Sequence, residues 1–354
     1  MTAITAFFPW QTEKAGEWLS DRTRFAHAWL IYGPPGIGKL TFARAAAASL
    51  LCEHPVGGIA CGKCESCSWI ANDAHPDLRL VLPDRLAQEY GLQDAAASGA
   101  DSGDGAGAKK ASGEIRIDQV RQLDALLGVT THRSGMRVII LFPAENLNTA
   151  SANYLLKSVE EPAPGTVFLF VSHAPDKVLP TLLSRCRRLG LPTPPTEASL
   201  AWLQAQSLSA EQADLWLHAS GGAPVGALAL SQSSTEPVSY WFGAFAQSLA
   251  DKIMPDMAEF LAKLEKLQAE EWLGTLQRFF TDLMLFSNGL PLRYFPGLRP
   301  FTKVIAEGLS TQKISQTAVW LAQQQRIADH PLNARLFIQS VLQRVCVTCL
   351  SKNG

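Results

Sequence analysis

The stretch HAWLIYGPPGIGKLTFARAAAASLL, residues 27–51, decides the fold. A short apolar run passes into a Gly/Pro turn and then into an Ala-rich segment, the pattern of a strand feeding a helix. The turn, Gly33-Pro34-Pro35-Gly36-Ile37-Gly38-Lys39, has the composition of a phosphate loop. Glycines let successive backbone N–H groups turn inward, the helix N-terminus adds positive potential, and the lysine reaches terminal phosphates. Gly33, Gly36, Gly38 and Lys39 are therefore the candidate nucleotide-binding residues. The next position, where Ser or Thr would ligate Mg²⁺, is Leu40, and Thr41 is one residue late, turned by about 100° around the helix. The residues alone leave two readings open: nucleotide binding, or a vestigial loop kept as a strand-to-helix connector.

Outward from this unit, Arg137 to Phe142 (RVIILF) and Thr166 to Ser172 (TVFLFVS) are nearly continuous apolar runs, as expected of strands buried on both faces. A helix is expected between them over Thr149 to Glu161, ended by Pro162. Strand, helix and strand in this order imply an α/β fold with a parallel sheet and right-handed crossovers. An ATPase of this type needs a carboxylate at the end of the second strand to hold Mg²⁺ and an adjacent Glu to position water. This chain has Phe142 and Pro143 there, with Glu145 two residues further on, where a capping or solvated carboxylate is the expectation. Mg²⁺ is accordingly not expected as a cofactor.

Four of the seven cysteines, Cys52, Cys61, Cys64 and Cys67, crowd into sixteen residues. The spacing C-x8-C-x2-C-x2-C lets four thiolates converge on one tetrahedral Zn²⁺, and a fully thiolate-ligated ion leaves no open position, so the expected role is structural. Cys346 and Cys349 lack further ligands and are expected in or beside the core of the last helix. A helix is expected to resume at Asp118 as N-cap, with Val120, Leu123 and Leu127 on one face. Residues 94–113, rich in Gly, Ala, Ser and Asp, are expected to be a disordered surface insertion.

The chain has 354 residues, 47% of them hydrophobic, enough for two or three domains. Lys and Arg total 31 against 32 Asp and Glu, a formal net charge of −1, so no overall basic field exists to grip nucleic acid. That balance argues against a DNA-binding adaptor built on the cysteine module. No uncharged apolar run is long enough for a membrane span, and the N-terminus has no secretory pattern; a cytoplasmic protein is expected. LPTPPTEASL at 191–200 marks a boundary, beyond which the pattern is helical throughout. Trp272, Leu276, Phe279, Phe280 and Leu283, and again Ile338, Val341, Leu342 and Val345, recur at helical spacing as core stripes.

GPPGIGK, the four cysteines, NYLLKSVEEPAPGTVFLFVSHAP (153–175) and LLSRC (182–186) occur in the order of bacterial AAA+ clamp-loader subunits, which the chain resembles over at least residues 7–230. The segment NARLFIQSVLQRV, 333–345, extends the likeness more weakly. With Leu40, Phe142 and Pro143 at the metal positions, the chain is most similar to the delta-prime branch of that family, in the clamp loader of DNA polymerase III. The resemblance implies three domains: a RecA-like AAA+ domain with the cysteine module over 1–190, a helical lid over 191–238 and an all-α collar over 239–354. It implies a subunit without ATPase activity of its own, in a hetero-pentameric ring with gamma/tau and delta subunits that places the sliding clamp on primed DNA. Ser184 and Arg185, in the SRC motif, are then the site residues, with Arg185 directed in trans into a neighbour's ATP site as an arginine finger. The lid stretch Gly221 to Leu228 has no nucleotide-sensing arginine, whereas Lys39 and the loop glycines survive, so ATP or ADP binding without turnover stays open. The alternative is an ATP-hydrolysing motor subunit of gamma/tau type using Lys39.

Overall fold

The computed structural model describes residues 6–20, 25–90, 112–132, 135–233, 236, 238–328 and 333–351. The expected disordered stretch 94–113 lies outside the described residues except for Ser112 and Gly113. The chain forms two compact units, Met1–Ala198 and Ser199–Gly354.

In the first unit α1 (Thr12–Leu19) precedes β1 (Ala28–Tyr32) and α2 (Lys39–Leu51). The short α3 (Glu65–Ala71), β2 (Leu78–Val81) and α4 (Asp84–Glu89) follow. The remainder runs α5 (Ile117–Leu127), β3 (Arg137–Leu141), α6 (Thr149–Glu160), β4 (Thr166–Ser172), α7 (Pro180–Leu183) and β5 (Arg187–Gly190). The strands form one parallel sheet in the order β2-β3-β4-β1-β5, with Leu30 opposite Phe170 on one side and Arg188 on the other. Every residue of β3 and β4 is buried, which is why these strands read as unbroken apolar runs. Arg137, 1% exposed, is the charged exception and donates from Nη2 to the Val129 carbonyl at 2.8 Å. This parallel sheet, with a phosphate-type loop leaving its β1, is the AAA+ RecA-like fold.

Two sequence expectations need correction. The helix expected to start at Asp118 begins at Ile117 with Arg116 as N-cap, because the Arg116 amide donates to Gln119 Oε1 at 2.9 Å and Ile115 is already paired with Leu147. Its buried face is Val120, Leu123 and Leu126, and the expected Leu127 packs half-buried against the same core. Asp118 instead sits in the first turn, where its charge suits the helix dipole. The helix before Pro162 ends at Glu160, one residue earlier than the proline alone suggests.

Among its described residues the second unit is all-helical. Its α8 (Thr196–Ala205), α9 (Ala210–Ala219) and α10 (Pro224–Ser233) close around Leu203, Ala213, Trp216, Leu217 and Ala227. Then α11 (Phe242–Ala250), α12 (Met257–Leu264), α13 (Ala269–Ser287), α14 (Arg299–Glu307), α15 (Thr311–Ile327) and α16 (Ala334–Leu350) enclose a larger core. Both expected stripes lie in that core, and Cys346 and Cys349 are buried on α16. No helix among the described residues is long and apolar enough to cross a membrane.

Polar clamps join the two helical groups. Arg278 donates to the Ala219 carbonyl at 3.0 Å, and Arg293 donates from Nε and Nη2 to the Gly221 carbonyl at 3.0 and 2.7 Å. Both acceptors lie at the C-terminal end of α9, where carbonyls lack intrahelical partners. Gly221 is in the left-handed region at φ +69°, and an added Cβ would fall 2.5 Å from the Tyr294 ring. Asp282, fully buried, accepts the amides of Arg293, Tyr294 and Phe295, which sets the loop that carries Arg293. Asp282→Ala, by removing the acceptor of three amides, that of Phe295 buried and those of Arg293 and Tyr294 part-buried, should lower the unfolding free energy by about 2 kcal/mol, read by urea denaturation.

Candidate functional site

The phosphate-type loop leaves the C-terminal end of β1, flanked by β4 and β5. Gly36 and Gly38 hold left-handed φ of +75° and +86°, Gly38 as the N-cap of α2, conformations that cost residues with a Cβ. Gly33 is needed for a different reason: a Cβ there would meet the Leu191 carbonyl at 2.2 Å. The chain just past β5 thus packs directly on the start of the loop. Trp10 Nε1 donates to the Ile37 carbonyl at 3.4 Å, and the Gln11 amide donates to the Ile37 and Gly38 carbonyls at 3.1 and 3.3 Å. A cavity of about 70 Å³ lies here, lined by Trp10, Gln11, Lys14, Ile37 and the 191–195 segment.

Lys39 is 2% exposed and turns back on its own loop, donating to the Gly33 carbonyl at 2.8 Å and the Pro34 carbonyl at 2.5 Å. Burial pulls its ammonium down to about 8, an effect partly offset by Glu145. Leu40 is buried in the domain core. At the end of β3, Phe142 is buried and precedes Pro143 through a cis peptide bond. Glu145 lies in a 3₁₀ turn over 144–146, and its Oε1 accepts the His173 amide at 2.9 Å. The carboxylate therefore caps the residue after β4. The His173 ring packs edge-on to Phe142, with centroids 5.2 Å apart. Burial and the nearby Lys39 charge hold the imidazole down to about 4, while Glu145 opposes them.

Lys39, Glu145 and His173 thus form one electrostatic group at the strand ends. His173 escaped the site residues chosen from sequence, although it directly follows a fully buried strand, the place where ligand-facing groups gather in parallel α/β sheets.

The cysteines come together as the spacing implies. The four Sγ atoms lie within 4.8 Å of one another, and Cys52 and Cys64 are 3.8 Å apart. A tetrahedral ion with Zn–S of about 2.3 Å requires S···S of about 3.8 Å, so the set fits and could hold a metal ion such as zinc. Amides prepare the thiolates: Cys61 N–H donates to Cys52 Sγ at 3.3 Å and Cys67 N–H to Cys64 Sγ at 3.4 Å. The Lys63 amide brings the Cys61 thiol down to about 6, and burial pushes Cys52 and Cys67 up. Under the module, Ser66 Oγ donates to the Leu51 carbonyl at 2.8 Å and meets His75 Nε2 at 3.0 Å, which ties α3 to the end of α2. A bound ion supplies cross-linking of this short segment and no reactive position.

Arg185 follows α7. Its Nε and Nη2 both meet Glu160 Oε1, the former at 2.5 Å, and its Nη1 donates to the Thr181 carbonyl at 2.5 Å and to Ser184 Oγ at 3.2 Å. Ser184 Oγ in turn donates to the Thr181 carbonyl at 3.0 Å. The Arg185 side chain is 33% exposed.

The sheet order and this loop make the chain an AAA+ protein. A model of the family DNA polymerase III, delta subunit, matches residues 17–195. DNA polymerase III subunit delta' of Pseudomonas aeruginosa is 39% identical over 221 residues, 62% of this chain and 59% of that protein. The Escherichia coli subunit of that name is 31% identical over 257 residues, 71% of this chain and 68% of its own length. A DNA polymerase III subunit gamma/tau of Mycobacterium tuberculosis is 34% identical over 165 residues but is matched over only 24% of its length. The chain belongs to the delta-prime clamp-loader family of DNA polymerase III.

Two outcomes follow from this geometry. Purified protein should carry about one zinc per chain by elemental analysis, and Cys64→Ser should reduce that content and lower the melting temperature. His173 binds its proton near pH 4 when folded and near 6.5 when unfolded. The unfolded chain therefore binds more protons in that window, and stability falls as the pH drops from 6.5 to 4. His173→Asn should flatten this part of the profile, measured by denaturation at several pH values.

Proposed function

We propose that this chain is a non-catalytic delta-prime-type subunit of the DNA polymerase III clamp loader, which completes a neighbour's ATP site in trans. The metal-handling positions carry the reading: Leu40, packed in the core, occupies the place of the Mg²⁺-binding hydroxyl, and buried Phe142 with Pro143 occupies the end of β3. Glu145 is the nearest carboxylate in sequence, and it is engaged by the His173 amide. Lys39 is likewise engaged by carbonyls of its own loop, which a phosphate would have to displace. ATP or ADP held through Gly33, Gly36, Gly38 and Lys39 would therefore be bound without Mg²⁺-assisted turnover.

Arg185 and Ser184 take the trans role, with the guanidinium offsetting charge on the phosphoryl group transferred in an adjacent gamma/tau subunit. The partners are gamma/tau and delta subunits in a five-membered ring, and through them the sliding clamp and primed DNA in the cytoplasm. In this reading residues 1–190 form the AAA+ domain, 191–238 the lid and 239–354 the collar that assembles the ring. Zinc at Cys52, Cys61, Cys64 and Cys67 is structural. The gamma/tau-type motor is favoured only by the surviving loop glycines and lysine and by a match to gamma/tau relatives that spans 47% of this chain.

ATP turnover tests the proposal in an assembly reconstituted with gamma/tau and delta partners, clamp and primed DNA. The isolated chain should be silent, and Arg185→Ala should slow an intact assembly about tenfold or more. Hydrolysis by the isolated chain that Lys39→Ala abolishes would establish the motor instead.

A further inference from the structure

We propose that Glu160 is a positioning residue for Arg185, fixing the guanidinium in the pose from which it serves the neighbour's site. The inference rests on the trans role proposed above and adds a second residue to it. Glu160 is the last residue of α6, so its carboxylate stands beside the negative end of a helix dipole, an unfavourable place for an acid unless a cation answers it. Arg185 answers it through Nε and Nη2, while Nη1 takes the Thr181 carbonyl and Ser184 Oγ. The two sides of the guanidinium are thus held by different helices, α6 and α7, and an extended arginine loses most of its rotational freedom.

The seat beneath is rigid. Leu155 and Val159 of α6 and Val178 and Leu182 around α7 are buried in one cluster, against which Cys186 also packs. A shift of Arg185 therefore requires either breaking the pair with Glu160 or disturbing that cluster. Arg185 and Glu160 remain 33% and 45% exposed, so the guanidinium stays accessible to an approaching surface. A carboxylate is better suited to this than a neutral acceptor, because it takes two donors on one oxygen with charge assistance. A pre-set guanidinium avoids an ordering cost when the neighbour's transition state forms, which appears in turnover rather than in nucleotide affinity.

The experiment measures kcat and KM for ATP in the reconstituted assembly with wild type, Glu160→Gln, Arg185→Ala, the double variant and Glu161→Gln as a neighbouring-charge control. Glu160→Gln should lower kcat about fivefold with KM unchanged, leave assembly and the melting temperature as in wild type, and add nothing in the Arg185→Ala background. Glu161→Gln should behave as wild type. If Arg185→Ala slows turnover but Glu160→Gln leaves it unchanged, raises it, or adds its full effect to Arg185→Ala, positioning by Glu160 is overturned and the trans role survives. If Arg185→Ala itself has no effect in an intact assembly, the trans role fails and the positioning proposal with it.

Discussion

β1 is held on both sides, by β4 and by β5, and everything with chemistry in the first unit hangs from this arrangement. Parallel strands all expose the same end of their ladders on one rim of the sheet. The loop after β1, the Phe142-Pro143-Glu145 corner after β3 and His173 after β4 therefore meet, although they are far apart in sequence. The close approach of Leu191 to Gly33 fastens the rim to the segment that leaves β5. A loop so tightly embraced is a structural part of the domain whatever it binds.

The rim keeps the backbone of a nucleotide site while its side chains serve other ends. Lys39 spends its donors on two carbonyls of its own loop, Leu40 fills core volume, and Glu145 caps an amide. These contacts form without a ligand, while Glu145 Oε2 and His173 Nδ1 stay buried without a hydrogen-bond partner among the described residues. The cysteine module is the opposite case: four sulfurs gathered within 4.8 Å have only weak amide donors for company, and a divalent cation is the partner that balances them.

Much of the fold was legible because it rests on local signals. The buried strands β3 and β4, the helix before Pro162, the stripes on α13 and α16 and the cysteine spacing each speak through composition or period within a short window. Where the reading of α5 missed, a long-range contact had intervened: pairing of Ile115 with Leu147 sets the chain's path before the helix, so the cap falls at Arg116 and not at the acidic residue that local preference favours. The same limit explains the site. Glu160 lies 25 residues from Arg185, and Glu145 lies 28 from His173, so neither pair leaves a periodic trace.

The two arginines that grip the end of α9 have a consequence for how the second unit comes apart. The group α8–α10 buries only a handful of side chains, Trp216 the largest, too few to hold three helices together unaided. Its terminal carbonyls are completed by Arg278 and Arg293, whose own placement depends on the larger core through α13 and buried Asp282. Loosening the larger core withdraws the donors that finish the smaller group, so the two should share one cooperative opening, with amides of both exchanging with solvent together.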